Sequence, residues 1–357
     1  MSTKRVNAVR TNMEKRKIDA LIITSMENIR YVTGFTGSTA VGVITKNSAA
    51  ILVDSRYILQ AKKECSGVKA VLFSGDWSDT VAEILAKEKA ERVGFEQDYV
   101  TIALHKKMRK AVAKPAKLVG VSRTVEELRI VKDADEIKTL KKAVAITDAC
   151  FSHLLEFIKP GMTERDVALE IYLYFYNNGA MTAFNSIIAA GTNAAFPHHK
   201  PENAVITAGQ MLKMDFGATV DGYNADITRT VFIGNPPDDK QKEIYQIVFD
   251  AQRKAIEAIK PGKKGKEIDS IAREYIASKG YGEYFGHGLG HSLGIGVHDG
   301  PGFAPTSETV LEPGMIMTVE PGIYIEGWGG VRIEDDILVT KDGCEVLTKS
   351  KKDITVI

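Results

Sequence analysis

Apolar positions in the first third of the chain fall into two alternating rhythms. Residues 6–20 carry them at helical spacing, whereas ALIIT (20–24), AVGVITK (40–46) and AAILVD (49–54) are short, nearly continuous apolar runs. Runs of that length suit strands buried on both faces. DTVAEILAKEKA (79–90) returns to the helical period, RVGFE (92–96) to a strand, and a basic helix is expected near 102–113. Strands alternating with helices predict an α/β layer domain. The charged segment KLVGVSRTVEELRIVKD (117–133) reads as its connector, and the domain boundary is placed between residues 125 and 126.

From Asp133 the pattern changes. ADEIKTLKKAVAITDACFSHLLEFIKPG reads as one long amphipathic helix stopped by Pro160 and Gly161. Its end, LLEFIKPG (154–161), returns as AIEAIKPG (255–262), a shift of 101 residues. At the same shift Asn178-Gly179 falls on Lys279-Gly280, and Phe184 on Phe285. Each copy runs into a glycine-rich segment with histidines, AAGTNAAFPHH and FGHGLGHSLGIGVHD, and then into a strand pair rich in acids. Such ordered self-similarity predicts two like αβ halves, related by a pseudo-two-fold axis, across residues 126–357.

The first acidic strand pair is KMDFGATVDGYNADITRT (213–230). Asp221-Gly222 is a type I′ turn signal. With that turn at the tip, paired residue numbers sum to 443, Asp215 faces Thr228, and Asp226 faces Gly217. Asp215 and Asp226 become diagonal neighbours on one face, about 7–8 Å apart at the backbone. Asp221 needs only its turn. In the second half, Glu320 and Glu334 share a face if the loop between them, around Glu326-Gly-Trp-Gly-Gly330, has an odd number of residues. Facing carboxylates repel, and removing such charges from water costs several kcal/mol each. Cations are therefore expected between them.

Five of seven histidines, His198, His199, His287, His291 and His298, lie in the glycine-rich segments. The glycines match neither a GxGxxG register nor a phosphate loop, and fit close backbone approach instead. Carboxylates with one imidazole suit Mn²⁺ or a similar first-row ion better than a closed zinc site of four cysteines. No HExxH, GxSxG or Cys-His pair offers a competing chemistry. A net charge of +1 argues against nucleic acid and membrane surfaces as partners. Cys65, Cys150 and Cys344 are scattered and odd in number, and no apolar run approaches the ~20 residues of a membrane span. With no apolar leader in MSTKRVNAVRTNMEKRK, a cytoplasmic location is expected.

Taken together, MDFGATVDGYNADITRT, GHGLGHSLGIGVHD, VEPG and VRIEDD resemble the metal-dependent pita-bread peptidases, in the branch of prolidase and aminopeptidase P. NIRYVTGFTGS (28–38) and LVDSRYILQA (52–61) resemble that branch's creatinase-like N-terminal domain. The resemblance implies two divalent ions, Mn²⁺ first with Co²⁺ or Zn²⁺ as alternatives, held by Asp215, Asp226, His291, Glu320 and Glu334. It places Asp226 and Glu334 between the ions, Asp215 on one, and His291 with Glu320 on the other. A hydroxide between the ions would attack an Xaa-Pro bond, with Glu320 carrying the proton. His198 and His298 would bind substrate or move protons, and His287 and Arg332 would line the substrate site. His199 is left as a surface neighbour. A dipeptidase acting on proline-containing peptides is the first reading, and aminopeptidase P acting on Xaa-Pro-Yaa the second. Methionine aminopeptidases lack the N-terminal region, and creatinase does without metal. A pita-bread binding module is the non-enzymatic alternative. The resemblance also implies a homodimer.

Overall fold

The computed structural model describes residues 2–357. It divides after Arg129, inside a short helix, rather than after residue 125. The first unit runs α1 (Ser2–Lys15), β1 (Ala20–Ile23), α2 (Met26–Thr33), β2 (Val41–Thr45), β3 (Ala49–Val53), α3 (Ile58–Glu64), β4 (Lys69–Leu72), α4 (Trp77–Lys87), β5 (Arg92–Glu96), α5 (Ile102–Ala111), β6 (Lys117–Val121) and α6 (Glu126–Ile130). Its sheet has the order β4-β3-β2-β1-β5-β6, antiparallel through β1, β2 and β3 and parallel outward from there. The apolar runs form its buried centre, where Leu21, Ile22, Val43, Ile51 and Leu52 are fully enclosed.

The presumed connector holds a strand. Leu118 and Val119 are only half-buried, because β6 is the sheet's edge and needs few apolar residues. Helix α2 was also unforeseen, although Ser25 caps it by accepting from the Asn28 N–H, and Gly34, at φ 81°, closes it.

The second unit opens with α7 (Ala134–Phe157), whose N-terminus carries a capping box of Asp133 and Glu136. Then come α8 (Glu164–Asn177), β7 (Met181–Thr182), β8 (Ile187–Ala190), β9 (Met211–Phe216), β10 (Ala218–Val220), β11 (Tyr223–Asn224) and β12 (Ile227–Phe232). The second half has α9 (Asp239–Ala258), α10 (Gly265–Ser278), β13 (Gly290–His291), β14 (Gly302–Phe303), β15 (Ile316–Val319), β16 (Gly322–Ile325), β17 (Gly329–Arg332), β18 (Asp335–Val339) and β19 (Cys344–Val346).

The 101-residue shift holds in three dimensions. Helices α7 and α9 end at Phe157 and Ala258, and both ends of α8 map onto both ends of α10. It extends into the cores: Leu154, Ile158, Val167, Ile171 and Phe175 correspond to Ala255, Ile259, Ile268, Ala272 and Ile276, all buried. The helices thus cover one side of each half, leaving the other free to form a site. No described helix is long and apolar enough to cross a membrane.

Candidate active site

Both hairpins keep the registers that their turns impose. Asp221 and Gly222 lie at φ 47° and 73°, the positive values a type I′ turn requires. Val220 pairs with Tyr223, Thr228 with Asp215, and every other pair from β9 to β12 keeps the sum of 443. A side chain at Gly217 would put its Cβ 1.7 Å from the Ala225 carbonyl oxygen, so glycine is what allows the strand beside Asp226 to approach so closely. In the second hairpin the loop between Ile325 and Gly329 has an odd number of residues, with Gly327 at φ 72°. Val319 faces Asp335 and Gly322 faces Arg332, a register that carries Glu320 opposite Glu334.

The two hairpins meet along β12. The Glu334 N–H donates to the Thr228 carbonyl (3.1 Å) and the Arg332 N–H to Thr230 Oγ1 (3.3 Å). The Asp226 N–H donates to Asp336 Oδ2 at 3.0 Å. A cavity of about 1110 Å³ opens over this seam, lined by Asp215, Asp226, His291, Glu320 and Glu334, with His198, His287, His298 and Arg332.

Within the cavity the ligating atoms of Asp226, His291 and Glu334 lie within 4.8 Å of one another. His291 Nε2 is 3.7 Å from Asp226 Oδ2 and 3.5 Å from Glu320 Oε1. Its Nδ1 donates to the Ser292 carbonyl at 3.2 Å, and burial pulls its pKa down to about 4. The ring is therefore neutral, and Nε2 turns a lone pair toward two carboxylate oxygens. Burial, then Glu334 and Asp215, push the Asp226 carboxyl far up. Burial, then Glu320 and Asp215, do the same to Glu334. Burial takes Glu320 to about 7 although Arg332 opposes it. Asp215 Oδ1, Asp226 Oδ1 and Glu334 Oε1 are buried without a hydrogen-bond partner. Lone pairs facing lone pairs, with orphaned carboxylate oxygens, fit divalent cations bound by oxygen and imidazole.

The other expected residues divide into two kinds. His198 and His298 are exposed to the cavity, the His298 ring 4.2 Å from that of His291 between centroids. Arg332 and His287 are instead tied into the wall. Arg332 donates to Thr228 Oγ1 (2.9 Å), Tyr324 Oη (2.9 Å), the Pro197 carbonyl (3.3 Å) and Asp215 Oδ2. His287 donates from Nδ1 to the Gly288 carbonyl (2.8 Å), and its Nε2 accepts from the Tyr324 hydroxyl at 2.9 Å. Burial and Arg332 hold the His287 pKa near 4, which keeps that acceptor neutral. These bonds anchor both side chains, through Tyr324 and for Arg332 also through Asp215, in the wall of the cavity that they line.

His199 is no surface neighbour: its Nε2 lies 2.8 Å from Glu164 Oε2, and its side chain is 9% exposed. Sequence reasoning also passed over Lys213, Glu164 and Tyr324. Glu164, fully buried, accepts from the Ala190 N–H (2.8 Å), Asn193 Nδ2 (3.0 Å) and the Glu202 N–H (2.9 Å) as well. Lys213 Nζ donates to the Ala194 (3.1 Å) and Phe196 (2.8 Å) carbonyls, and burial with Arg332 pulls its pKa to about 6. These two buried side chains fix the segment that carries His198 through their hydrogen bonds. Strand alternation put Lys213 on the Asp215 face, so its presence was readable. Glu164 carried no such signal, because its partners, two backbone N–H groups and the side chains of Asn193 and His199, lie 26 to 38 residues along the chain.

Residues 138–341 match the model of metallopeptidase family M24, and residues 5–131 that of the creatinase/prolidase N-terminal domain. The chain therefore belongs to metallopeptidase family M24 and has its hydrolase architecture. Over 96% of its length it is 41% identical to a Xaa-Pro dipeptidase of Pyrococcus horikoshii, covering 96% of that protein. A solved Xaa-Pro dipeptidase from Bacillus anthracis superposes over all of both chains with a TM-score of 0.97 at 43% identity. An X-Pro aminopeptidase from Thermotoga maritima matches at TM-score 0.90 and 38% identity, over 96% of this chain and 98% of its own.

Proposed function

We propose that the protein is a cytoplasmic, homodimeric Xaa-Pro dipeptidase that works with two divalent metal ions, Mn²⁺ first among them. The observation that carries the reading is the neutral His291 Nε2 aimed at the Asp226 and Glu320 oxygens across 3.7 and 3.5 Å, an arrangement that calls for positive charge between them. Asp215, Asp226, His291, Glu320 and Glu334 would hold the ions. Bound there, divalent ions supply Lewis acidity, polarising a scissile carbonyl and making water acidic near neutral pH.

The chain's own groups do the rest. Glu320 takes a proton from water and returns it to the departing proline nitrogen. His298 and His198, the histidines exposed to the cavity, donate hydrogen bonds to the oxyanion as charge develops. Arg332 holds Asp215 in orientation through Nη2, and Tyr324 with His287 holds Arg332. The likeness to an X-Pro aminopeptidase supports a second reading, cleavage of longer Xaa-Pro-Yaa peptides at the same site.

The test is hydrolysis of Ala-Pro, Ala-Pro-Ala and Met-Ala by protein stripped with chelator and reloaded with Mn²⁺, Co²⁺ or Zn²⁺, with metal counted per chain. Preference for Ala-Pro with two ions bound supports the first reading, and preference for the tripeptide the second. Metal-free protein that hydrolyses nothing after reloading overturns both. Sedimentation velocity decides the dimer.

A further inference from the structure

Resting on the proposed peptidase reading, we propose that Lys200 determines the length of substrate accepted, by pairing its ammonium with the C-terminal carboxylate of a dipeptide. An extended dipeptide spans about 7 Å between its charged ends. The carboxylate cluster accounts for one end of such a molecule. The other end is an anion, and it needs a cation on another part of the cavity wall. Apart from histidines, the basic side chains among the described residues lining the cavity are those of Arg332 and Lys200. Arg332 is 3% exposed and its guanidinium is bonded to Asp215, Thr228, Tyr324 and Pro197. Lys200 is exposed, and no hydrogen bond or ion pair joins it to another described residue.

What distinguishes Lys200 from an ordinary surface lysine is its mounting. The residues on either side are pinned to one buried carboxylate: His199 Nε2 lies 2.8 Å from Glu164 Oε2, and the Glu202 N–H donates to the same oxygen at 2.9 Å. Pro201 stiffens the backbone between them. Two positions upstream His198 faces the cavity, and Lys213 fixes the approach to it through the Ala194 and Phe196 carbonyls. The main chain at Lys200 is thus held at the cavity wall while its side chain stays free. An ammonium on an anchored base pairs with a carboxylate that reaches this part of the cavity wall, and pairs poorly with a neutral amide in its place.

The experiment compares Ala-Pro with Ala-Pro amide, using metal-loaded full-length wild type, Lys200→Met and Lys200→Arg. Wild type is expected to favour the free dipeptide. In Lys200→Met the ratio of kcat/KM values, dipeptide over amide, should fall about tenfold through KM, with Lys200→Arg keeping most of it. An unchanged ratio in Lys200→Met, or an equal loss on both substrates, overturns the assignment. A wild type that cleaves neither substrate overturns the peptidase reading itself, and this assignment with it.

Discussion

Glu334 and Asp335 are neighbours in sequence, and both are almost wholly buried, at 1% and 0% exposure. Asp335 meets Arg229 Nη2 at 2.7 Å and Lys352 Nζ at 2.5 Å. Asp269 likewise takes a fork from Arg273 (2.7 and 2.9 Å) and the Leu289 N–H at 3.0 Å. Glu334, by contrast, has Thr228 Oγ1 on one oxygen at 2.5 Å and nothing on the other, and Asp226 and Asp215 each keep an orphaned oxygen too. Burial alone therefore does not mark a site. Where the chain supplies its own cations, a buried acid is part of the scaffold. Where it supplies too few, the missing charge comes from a bound ion.

The contrast is sharpest under substitution. Glu320→Gln keeps the shape of the cavity and removes the proton carrier, so kcat on Ala-Pro should fall about 10³-fold in metal-loaded protein. Wild-type turnover in that variant would sink the role. Asp335→Asn acts on the opposite set. It leaves the buried Arg229 guanidinium short of its counter-charge, and urea unfolding should show a loss of about 3 kcal/mol. Metal bound per folded chain should stay at the wild-type level. A loss of metal with unchanged stability would erase the distinction drawn between the two sets of acids.

The distinction was only half legible in the sequence. Asp221-Gly222 and strand alternation were enough to bring Asp215 and Asp226 to one face, because a two-residue turn leaves no freedom of register. The second hairpin needed the first as a guide, since its glycine-rich loop allows several lengths. The repeat was readable because IKPG ends a helix for local reasons, and local signals survive without tertiary context. Arg229 with Asp335, and Glu164 with His199, were not readable. Each pair is brought together by packing across long stretches of chain, 106 and 35 residues apart. Edge strand β6 was lost for a related reason: its side chains are buried too little to leave a clear apolar period.

Asp226→Asn tests the same comparison with the opposite sign. Burial, Glu334 and Asp215 raise the Asp226 pKa in the folded chain. A carboxyl raised in this way favours the fold most below its unfolded value of about 4, and that contribution is lost as pH rises through the raised value. In chelated protein at pH 8, removing the charge should therefore stabilise the fold by about 1–2 kcal/mol, and the gain should shrink as pH falls. Destabilisation at pH 8, as expected for Asp335→Asn, would mean that the orphaned oxygens have partners after all.

The smallest effect expected is a slope. Metal entry must displace whatever protons the raised carboxyls hold, and Glu320 sits near 7. Mn²⁺ affinity should weaken as pH falls from 8 to 6, approaching about tenfold per pH unit for each proton displaced. Calorimetry in buffers of different ionisation enthalpy should register proton release below pH 7. His291 adds nothing to the slope in that range, because burial already holds it neutral down to about 4. A flat affinity between pH 6 and 8, with no proton released, would show that the cluster enters binding already ionised, and would remove the electrostatic difference between Glu334 and Asp335.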